Sequence, residues 1–416
     1  MHYKYRYEHF FDGIERTDFA KLSGNICIYG AGFQGLLAAH LLDKQGIKVL
    51  CFCDMDVRKQ GTTYYNLPVY APEKMKERYP DATVIVTPYS LAPAYRYVKE
   101  ELGYESVVTP FSLFLEFDFE EFDKLSELPD WYQPGSGDYH IDLFMRACHN
   151  VLSEEKLYSA DISVTEACNL RCRDCQSLMP CYDKPKSPTL EEMIYYVETI
   201  TKGRVFHHFN VEGGEAFVWK HLPEFIEYLD SMPNLLNIYL YTNGTIIPNE
   251  RLLKALKKEK VLVRISYYEG YTKTDDLVEL FTKHGIRHSV VLQKWYEFAS
   301  LSSEVRTPSE VKRVVDTCCK TQPEGNGGPY FISGRLFYCP IQGNLHNLGF
   351  FVSPEKDYVD LTCRTDKNID EKIFDLLNKK SFPELCKFCY GRGYCGKEVP
   401  PAVQLKPGEK IDVIFK

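Results

Sequence analysis

Three closely spaced cysteines are the residues of this sequence most suited to do chemistry. Cys168, Cys172 and Cys175 stand in a C-x3-C-x2-C spacing within one short loop. Three such thiolates can ligate three corners of a [4Fe–4S] cubane and leave the fourth iron without a protein ligand. An iron with an open position can chelate a small molecule through an amine and a carboxylate. A structural zinc site would need a fourth ligand, which this loop offers only if Cys181 bends back.

The elements that must position this loop alternate between strands and helices. Thr189 and Glu192 fit a capping box at the start of the first helix, and helical patterns recur at 220–231, 249–258 and 273–284. Repeated βα units of this length predict a parallel sheet, open or curled into a partial barrel, with the cysteine loop just after its first strand. Apolar and β-branched runs predict strands at 161–166, 206–211, 238–242, 261–266 and 287–292.

With this loop in this setting, the chain resembles the radical S-adenosylmethionine (radical SAM) enzymes over roughly residues 158–396. Gly213-Gly214-Glu215 is similar to the GGE segment of that family, and Thr242-Asn243-Gly244 to its TNG segment. Ser266 lies where the family commonly has a polar residue that reaches the cofactor. The resemblance implies a [4Fe–4S] cluster on the three cysteines and S-adenosylmethionine held by Gly213, Gly214, Glu215, Asn243 and Ser266.

The resemblance also implies a reaction. A donor such as flavodoxin or ferredoxin supplies one electron, S-adenosylmethionine is cleaved, and the resulting 5′-deoxyadenosyl radical removes hydrogen from a carbon of the substrate. Gly213 and Gly214 are then expected to let the backbone approach the cofactor, and Glu215 to face its ammonium group. Asp174 departs from the family, which usually has an aromatic residue there, so the adenine must pack on Leu178 or on a residue of the later strands.

The C-terminal cysteines resemble those of the SPASM domain and of its shortened form, Twitch, which bind auxiliary clusters. Too few cysteines are present for two full clusters, so we expect one auxiliary [4Fe–4S] cluster, with zinc at the same thiolates as the alternative. Cys318 is the alternative to the first ligand, and Cys363 and Cys395 are spare ligands. The expected ligands are Cys319, Cys339, Cys386 and Cys389.

The N-terminal part contains a second glycine motif. Gly30, Gly32 and Gly35 follow a β-branched run and open a helical segment, and Asp54 stands after the next strand. This pattern suits a dinucleotide pyrophosphate and a ribose hydroxyl. It also resembles small Rossmann-like domains attached to sugar-modifying and polysaccharide-assembly enzymes, some of which need no NAD. A bound nucleotide or nucleotide sugar and a purely structural or partner-docking role both stay open.

These readings divide the α/β chain into four segments. Residues 1–112 are expected to form a small doubly wound Rossmann-like domain, and residues 113–157 an acidic and aromatic connector followed by a helix. Residues 158–315 are expected to form a partial (β/α)6 TIM-like radical SAM barrel, and residues 316–416 a small α+β auxiliary-cluster domain.

Composition and charge narrow the partners. Lys and Arg number 50 against 58 Asp and Glu, a net charge of −8, so no broad basic surface is available for nucleic acid. No apolar run is long enough to span a membrane, and the first residues lack the apolar core of a signal peptide. We therefore expect a cytoplasmic protein, in which 15 cysteines point to metal or redox chemistry rather than to disulfides.

The expected activity is hydrogen abstraction from a small polar substrate. A carbohydrate or nucleotide-linked sugar is the preferred class, because the loop, the end of the 261–266 strand and Trp295-Tyr296 resemble a subgroup found with sugar and capsule biosynthesis. The outcome is either oxidation or epimerisation, and Cys181, Cys363 and Cys395 are the candidate hydrogen donors. The alternatives are a SPASM-type peptide maturase and a non-catalytic zinc-binding scaffold.

Overall fold

A computed structural model of the full chain describes residues 12–22, 24–115, 128, 137–292, 295–296, 301, 304–318, 320, 328–389 and 398–411. The chain forms two compact units, residues 1–156 and 157–416. Among the described residues, no helix has the length and apolar character needed to cross a membrane.

The first unit is a six-stranded sheet with helices, in the order β3-β4-β2-β1-β5-β6. All neighbouring pairs are parallel except β3 with β4. The predicted strand–glycine turn–helix unit is confirmed. The strands are β1 (Ile26–Tyr29), β2 (Cys51–Cys53), β3 (Thr63–Tyr64), β4 (Leu67–Tyr70), β5 (Thr83–Val86) and β6 (Val107–Val108). The helices are α1 (Phe33–Lys44), α2 (Pro72–Arg78), α3 (Leu91–Arg96), α4 (Phe111–Phe114) and α5 (Gly137–Leu152).

Helix α5 belongs to this first unit. Its side chains Ile141, Phe144 and Met145 are buried in the same apolar core as the β1 strand. The segment predicted as a helix leading into the second domain therefore packs on the sheet that precedes it.

The second unit is built on an eight-stranded sheet in the order β11-β10-β9-β8-β7-β13-β14-β15. The strands are β7 (Leu157–Ser163), β8 (Val205–Glu212), β9 (Leu235–Thr242), β10 (Val261–Ser266), β11 (His288–Val291), β12 (Trp295–Tyr296), β13 (Tyr330–Ile332), β14 (Arg335–Phe337), β15 (Tyr358–Asp360) and β16 (Glu398–Val399). The helices are α6 (Leu190–Thr201), α7 (Leu222–Ser231), α8 (Glu250–Leu256), α9 (Thr274–His284), α10 (Pro308–Thr317), α11 (Pro340–Asn347) and α12 (Ile369–Leu377).

The predicted βα alternation is confirmed in β7 to β11, which pair in parallel with their neighbours. The capping box of α6 is present, since Thr189 accepts from the Glu192 N–H and Glu192 accepts from the Thr189 N–H. Strand β7 begins earlier than predicted and ends at Ser163, because the chain then turns away into the cysteine loop.

The sheet differs from the implied six-stranded barrel. Among the described residues, five successive βα strands are present, and the strand on the other side of β7 is β13, which pairs with it in parallel. Strand β13 belongs to a hairpin with β14 in the C-terminal part. The segments predicted as barrel and auxiliary domain thus share one continuous sheet.

Candidate functional site

The loop after β7 holds the three cysteines. Burial raises the pKa of Cys168 to about 12 and that of Cys172 to about 11, and it also raises the pKa of Cys175. Cys172 and Cys175 raise the pKa of Cys168 further, because ionised thiols so near one another repel. These thiols hold their protons at neutral pH unless a metal replaces those protons.

Amide groups point at the three sulfurs. The Leu170 N–H donates to Cys168 Sγ at 3.5 Å, and Gln404 Nε2 donates to Cys172 Sγ at 3.2 Å. Backbone N–H groups at residues 177–179 lower the pKa of Cys175 against the effect of burial. Such donors favour thiolates over thiols, as iron ligation requires.

The described residues contain no group of three or more His, Cys, Asp or Glu side chains placed to hold one metal ion. A single zinc ion needs its sulfur ligands about 2.3 Å from one common centre. In a cubane each iron takes its own thiolate, so the thiols stand farther apart. The donor set of the loop, three thiols with N–H groups directed at them, is compatible with such a cluster.

The glycines after β8 pack against the cysteine loop. A Cβ on Gly213 would stand 2.6 Å from Thr165 O, and a Cβ on Gly214 would overlap Ala167 O. The Gly214 N–H donates to Thr165 O at 2.8 Å, and the Glu215 N–H donates to Ala167 O at 2.9 Å. Glycine is thus required here to hold the cysteine loop, whereas contact of these residues with the cofactor stays a prediction.

Glu215 is engaged by the chain itself. Its Oε1 accepts from Thr242 Oγ1 at 2.7 Å and from the Phe217 N–H at 3.1 Å, and its Oε2 accepts from the Asn243 N–H at 2.6 Å. The side chain is 1% exposed, and burial raises the pKa of this carboxyl. Glu215 therefore joins the loops after β8 and β9, a role that its place in the sequence did not indicate.

Asn243 connects these two loops, which Glu215 holds together, to the cysteine loop. Its Nδ2 donates to Asn169 Oδ1 at 2.9 Å and lies 3.8 Å from Cys168 Sγ. Its Oδ1 accepts from Thr245 Oγ1 at 2.6 Å. Asn243 thus lies beside the cysteine loop, whereas its contact with S-adenosylmethionine stays a prediction.

Tyr268, two residues after Ser266, packs beside the cysteine loop. The hydroxyl of Ser266 lowers the pKa of Tyr268, which burial raises more strongly. Tyr268 packs edge-on against Trp295 with ring centroids 5.5 Å apart, in a cluster that includes Cys172. Leu178, one of the residues expected to pack on adenine, is buried among leucines of the C-terminal part, and adenine packing on Leu178 or on a residue of the later strands stays a prediction.

The two faces of the β7–β10 sheet differ in chemistry. Side chains alternate along each strand, so one set faces the helices and the next faces away. The set packed with the helices is apolar, for example Ile162, Val211 and Leu240. The alternate set is buried and mostly polar: beside Tyr239 and Leu262, it contains Ser159, Asp161, Ser163, His208, Asn210, Asn237, Arg264 and Ser266.

An ion pair lies at the centre of this polar face. Asp161 pairs with Lys320, and Asn210 Nδ2 donates to Asp161 Oδ1 at 2.7 Å. Asn210 Oδ1 is buried and accepts no hydrogen bond from the described residues. A buried acceptor of this kind costs free energy unless a donor from a ligand or water reaches it.

A second group of thiols lies in the C-terminal part. Burial raises the pKa of Cys339 and of Cys386, and nearby Cys318 raises both further. Cys389 acts on Cys386 in the same way. Cys318, the alternative first ligand, thus lies near Cys339 and Cys386. Cys319 and Cys395 lie outside the described residues.

Two buried lysines accompany this second group. Lys379 and Lys320 lower the pKa of Cys339. Lys379 Nζ donates to Tyr338 O at 3.0 Å and stands 3.7 Å from the centroid of the Tyr338 ring. Burial lowers the pKa of Lys379 to about 7.

The remaining candidate cysteines are placed differently. Cys181 is half-buried, and Cys175 raises its pKa, so it lies near the cluster loop. Cys363 is exposed, and its Sγ lies 3.7 Å from Thr365 Oγ1. Of the two described candidate hydrogen donors, Cys181 is thus the one near the site.

The glycine motif of the first unit is also explained within the chain. Asp54 Oδ2 accepts from the Ala31 N–H and from Lys59 Nζ, each at 2.9 Å. A Cβ on Gly30 would stand 2.6 Å from Thr87 Oγ1, and a Cβ on Gly35 would overlap Gly30 O, but one on Gly32 would meet nothing within 4 Å. The carboxylate expected to bind a ribose holds the glycine loop instead, and a nucleotide at this site stays a prediction.

Comparison with known proteins agrees with the cysteine loop. Residues 162–291 match the Radical SAM superfamily. The GTP 3′,8-cyclase of Syntrophomonas wolfei is 33% identical over 87 residues, which is 20% of this chain and 26% of that protein. The GTP 3′,8-cyclase of Alkaliphilus oremlandii is 33% identical over 102 residues, 23% of this chain and 30% of that protein. The chain thus spans less than a third of the length of these two relatives.

Among solved structures, BtrN in complex with AdoMet and 2-DOIA aligns with 14% identity and a TM-score of 0.39, over 61% of this chain and 100% of that chain. Residues 162–291 are a radical SAM domain, the kind of domain that binds a [4Fe–4S] cluster and S-adenosylmethionine.

Proposed function

We propose that this chain, through the radical SAM domain at residues 162–291, removes a hydrogen atom from a carbon of a small polar substrate, with a sugar or nucleotide sugar as the preferred class. The observation that carries the substrate class is the buried polar face of β7–β10, and above all the unsatisfied acceptor Asn210 Oδ1. An apolar substrate would leave that acceptor unpaired, whereas a hydroxyl satisfies it.

The residues of the site have different proposed roles. Cys168, Cys172 and Cys175 hold the cluster, which when bound supplies one electron for cleavage of S-adenosylmethionine. Glu215 fixes Thr242 and Asn243 beside the cysteine loop. Tyr268 and Trp295 cover one side of the loop and limit the access of water to it.

The reaction outcome follows from the fate of the substrate radical. Oxidation of an alcohol passes a second electron and a proton out of the substrate, and an auxiliary [4Fe–4S] cluster on Cys318, Cys339, Cys386 and Cys389 is the proposed electron acceptor. Epimerisation returns a hydrogen atom from a thiol on the opposite face, and Cys181, a half-buried thiol near Cys175, is the proposed donor. Flavodoxin or ferredoxin is the proposed donor of the first electron.

One experiment tests this function. The full chain, reconstituted with iron and sulfide without oxygen, is incubated with dithionite, S-adenosylmethionine and UDP-glucose carrying deuterium on its sugar carbons. We expect 5′-deoxyadenosine that contains deuterium, measured by mass spectrometry. A deuterated peptide pool tested in parallel distinguishes a peptide maturase.

Two results would contradict the proposal. Bound zinc without sulfide would support the zinc scaffold instead. Release of 5′-deoxyadenosine with deuterium taken only from peptides would retain the radical chemistry and remove the sugar.

A further inference from the structure

A segment near the C-terminus lies directly on the cysteine loop. Residues 398–405, here called the strap, begin in β16, which pairs with β12. The strap then runs antiparallel to the loop: the Arg173 N–H donates to Val403 O at 2.8 Å, and the Leu405 N–H donates to Arg171 O at 2.8 Å. Cys172 and Gln404 face each other across this pairing.

The side chain of Gln404 is fixed at both ends of its amide. Oε1 accepts from the Arg171 N–H at 2.7 Å, and Nε2 donates to Ala402 O at 2.7 Å and to Cys172 Sγ at 3.2 Å. Because the Arg171 N–H must be met by an oxygen, the amide is oriented with its N–H groups toward the sulfur.

Ala402 shows that this arrangement is held against backbone strain. Its φ is +57°, a left-handed conformation that is unusual for a residue with a Cβ, and its side chain is completely buried in the cluster with Cys172 and Tyr268. Such strain persists only where the surroundings fix it, and it is concentrated at functional sites. The turn at Ala402 brings its own carbonyl within reach of the Gln404 amide.

We propose that the strap covers the radical SAM cluster and that Gln404 is a positioning residue. The side-chain N–H group of Gln404 donates to the Cys172 sulfur and thereby makes the cluster easier to reduce. A hydrogen bond to a ligating sulfur stabilises the added negative charge of the reduced state. The electron comes from dithionite, and no bond is formed or broken in this step. The inference rests on the proposed function only in that the three cysteines must hold a cluster.

The test measures the cluster without substrate or S-adenosylmethionine. Full-length chains carry Cys386→Ala, so that the electron paramagnetic resonance signal reports the first cluster alone, and they are titrated with dithionite and redox mediators. Gln404→Met removes the donor at similar length, and Gln404→Asn withdraws the same amide by one methylene. At a fixed potential we expect the ratio of reduced to oxidised cluster to fall about tenfold in both, a shift of about 59 mV for one electron.

Lys406→Met is the matched control, because Lys406 is exposed and adjoins the strap. Its titration should overlay that of the parent chain. Any folded variant at position 404 that also overlays the parent overturns the inference, while 5′-deoxyadenosine formation still tests the proposed function separately.

A measurement on the chain with Cys386→Ala as its only substitution covers the case in which the variants at position 404 fail to fold. With glutamine labelled by ¹⁵N at the side-chain amide, pulsed electron paramagnetic resonance of the reduced cluster should detect a coupled ¹⁵N nucleus. Absence of that coupling in a chain that holds the cluster also overturns the inference.

Discussion

The two thiol groups of the second unit are surrounded by different chemistry. Around Cys168, Cys172 and Cys175, the groups that favour thiolates are neutral amides. The nearby carboxyl group of Glu215 raises the pKa of Cys168. Around Cys339, the compensating groups are the cations of Lys379 and Lys320.

Under the proposed function, this difference follows from the ligand that each site would admit. A lysine beside the first group would repel the ammonium group of S-adenosylmethionine, while amide N–H groups stabilise thiolates without adding charge. A cluster ligated entirely by cysteines has no such ligand to admit, so buried cations can balance its negative charge. Under the proposed function, these surroundings would suit an open cluster site at the first group and a closed one at the second.

Removing a ligand of the first group gives the largest expected effect. Cys172→Ala should lower 5′-deoxyadenosine formation to that of a protein-free control, because the cluster that cleaves the cofactor is lost, and leave about four irons per chain at the second group. Iron analysis and chromatography of the nucleoside measure both. Cys148→Ala, a buried cysteine of the other unit, should retain the activity. Equal loss of both sets of iron in Cys172→Ala would show that the two groups are not independent.

Removing a ligand of the second group should give the converse result. Cys386→Ala should lose about half of the iron, from about eight to about four per chain, and still release 5′-deoxyadenosine with dithionite. Cys363→Ala should retain all the iron, since Cys363 is exposed. Full iron content in Cys386→Ala would show that the second thiol group holds no cluster that depends on Cys386.

Charge at the second group should appear in the pH dependence of stability. The pKa of Lys379 falls from 10.5 in the unfolded chain to about 7 in the folded chain. Between these values the unfolded state binds the proton that the folded state has lost, so the free energy of unfolding rises with pH. Urea unfolding of the cluster-free chain measures this effect. The free energy of unfolding of wild type, relative to that of Lys379→Met, should increase by about 1.4 kcal/mol per pH unit in the middle of this range.

The neighbouring Lys380 is the matched control for that measurement. It is exposed and paired with Asp375. The difference between wild type and Lys380→Met should not change with pH over the same range, and a flat difference for Lys379→Met as well would mean that Lys379 is solvated.

The smallest expected effect concerns the support of the first group. Glu215→Gln replaces one carboxylate oxygen by an amide donor, which then faces a donor such as the Asn243 N–H. We expect a loss of about 1–3 kcal/mol in the free energy of unfolding and weaker binding of S-adenosylmethionine, measured by urea unfolding and by calorimetry. Glu227→Gln, on an exposed position of α7, should change neither.

The sequence predicted regular elements better than it predicted the roles of single side chains. Strand β10 has the predicted bounds, and the α6 capping box is present, because both depend on neighbours in the chain. Glycine-acid motifs at Asp54 and Glu215 suggested ligand contacts, yet both carboxylates accept from backbone N–H groups of the chain. Which donors reach a buried acid is decided by tertiary packing.

Contacts between distant segments carried no signal in the sequence. Gln404 lies 232 residues from Cys172 and belongs to no motif, although it donates to that sulfur. Strand β13 is short, so nothing in its pattern indicated that it would extend the sheet at β7. Spacing rules describe local geometry, and these two features depend on which chain segments come together in the fold.

The shared sheet has a practical consequence for protein engineering. A chain cut after residue 315 would lack the β13 partner of β7 and expose the unpaired N–H and C=O groups of a central strand. Such an edge is a template for aggregation. The C-terminal part is therefore poorly suited to modular exchange between enzymes, and chimeras should join between residues 156 and 157, the boundary that divides the chain into its two compact units.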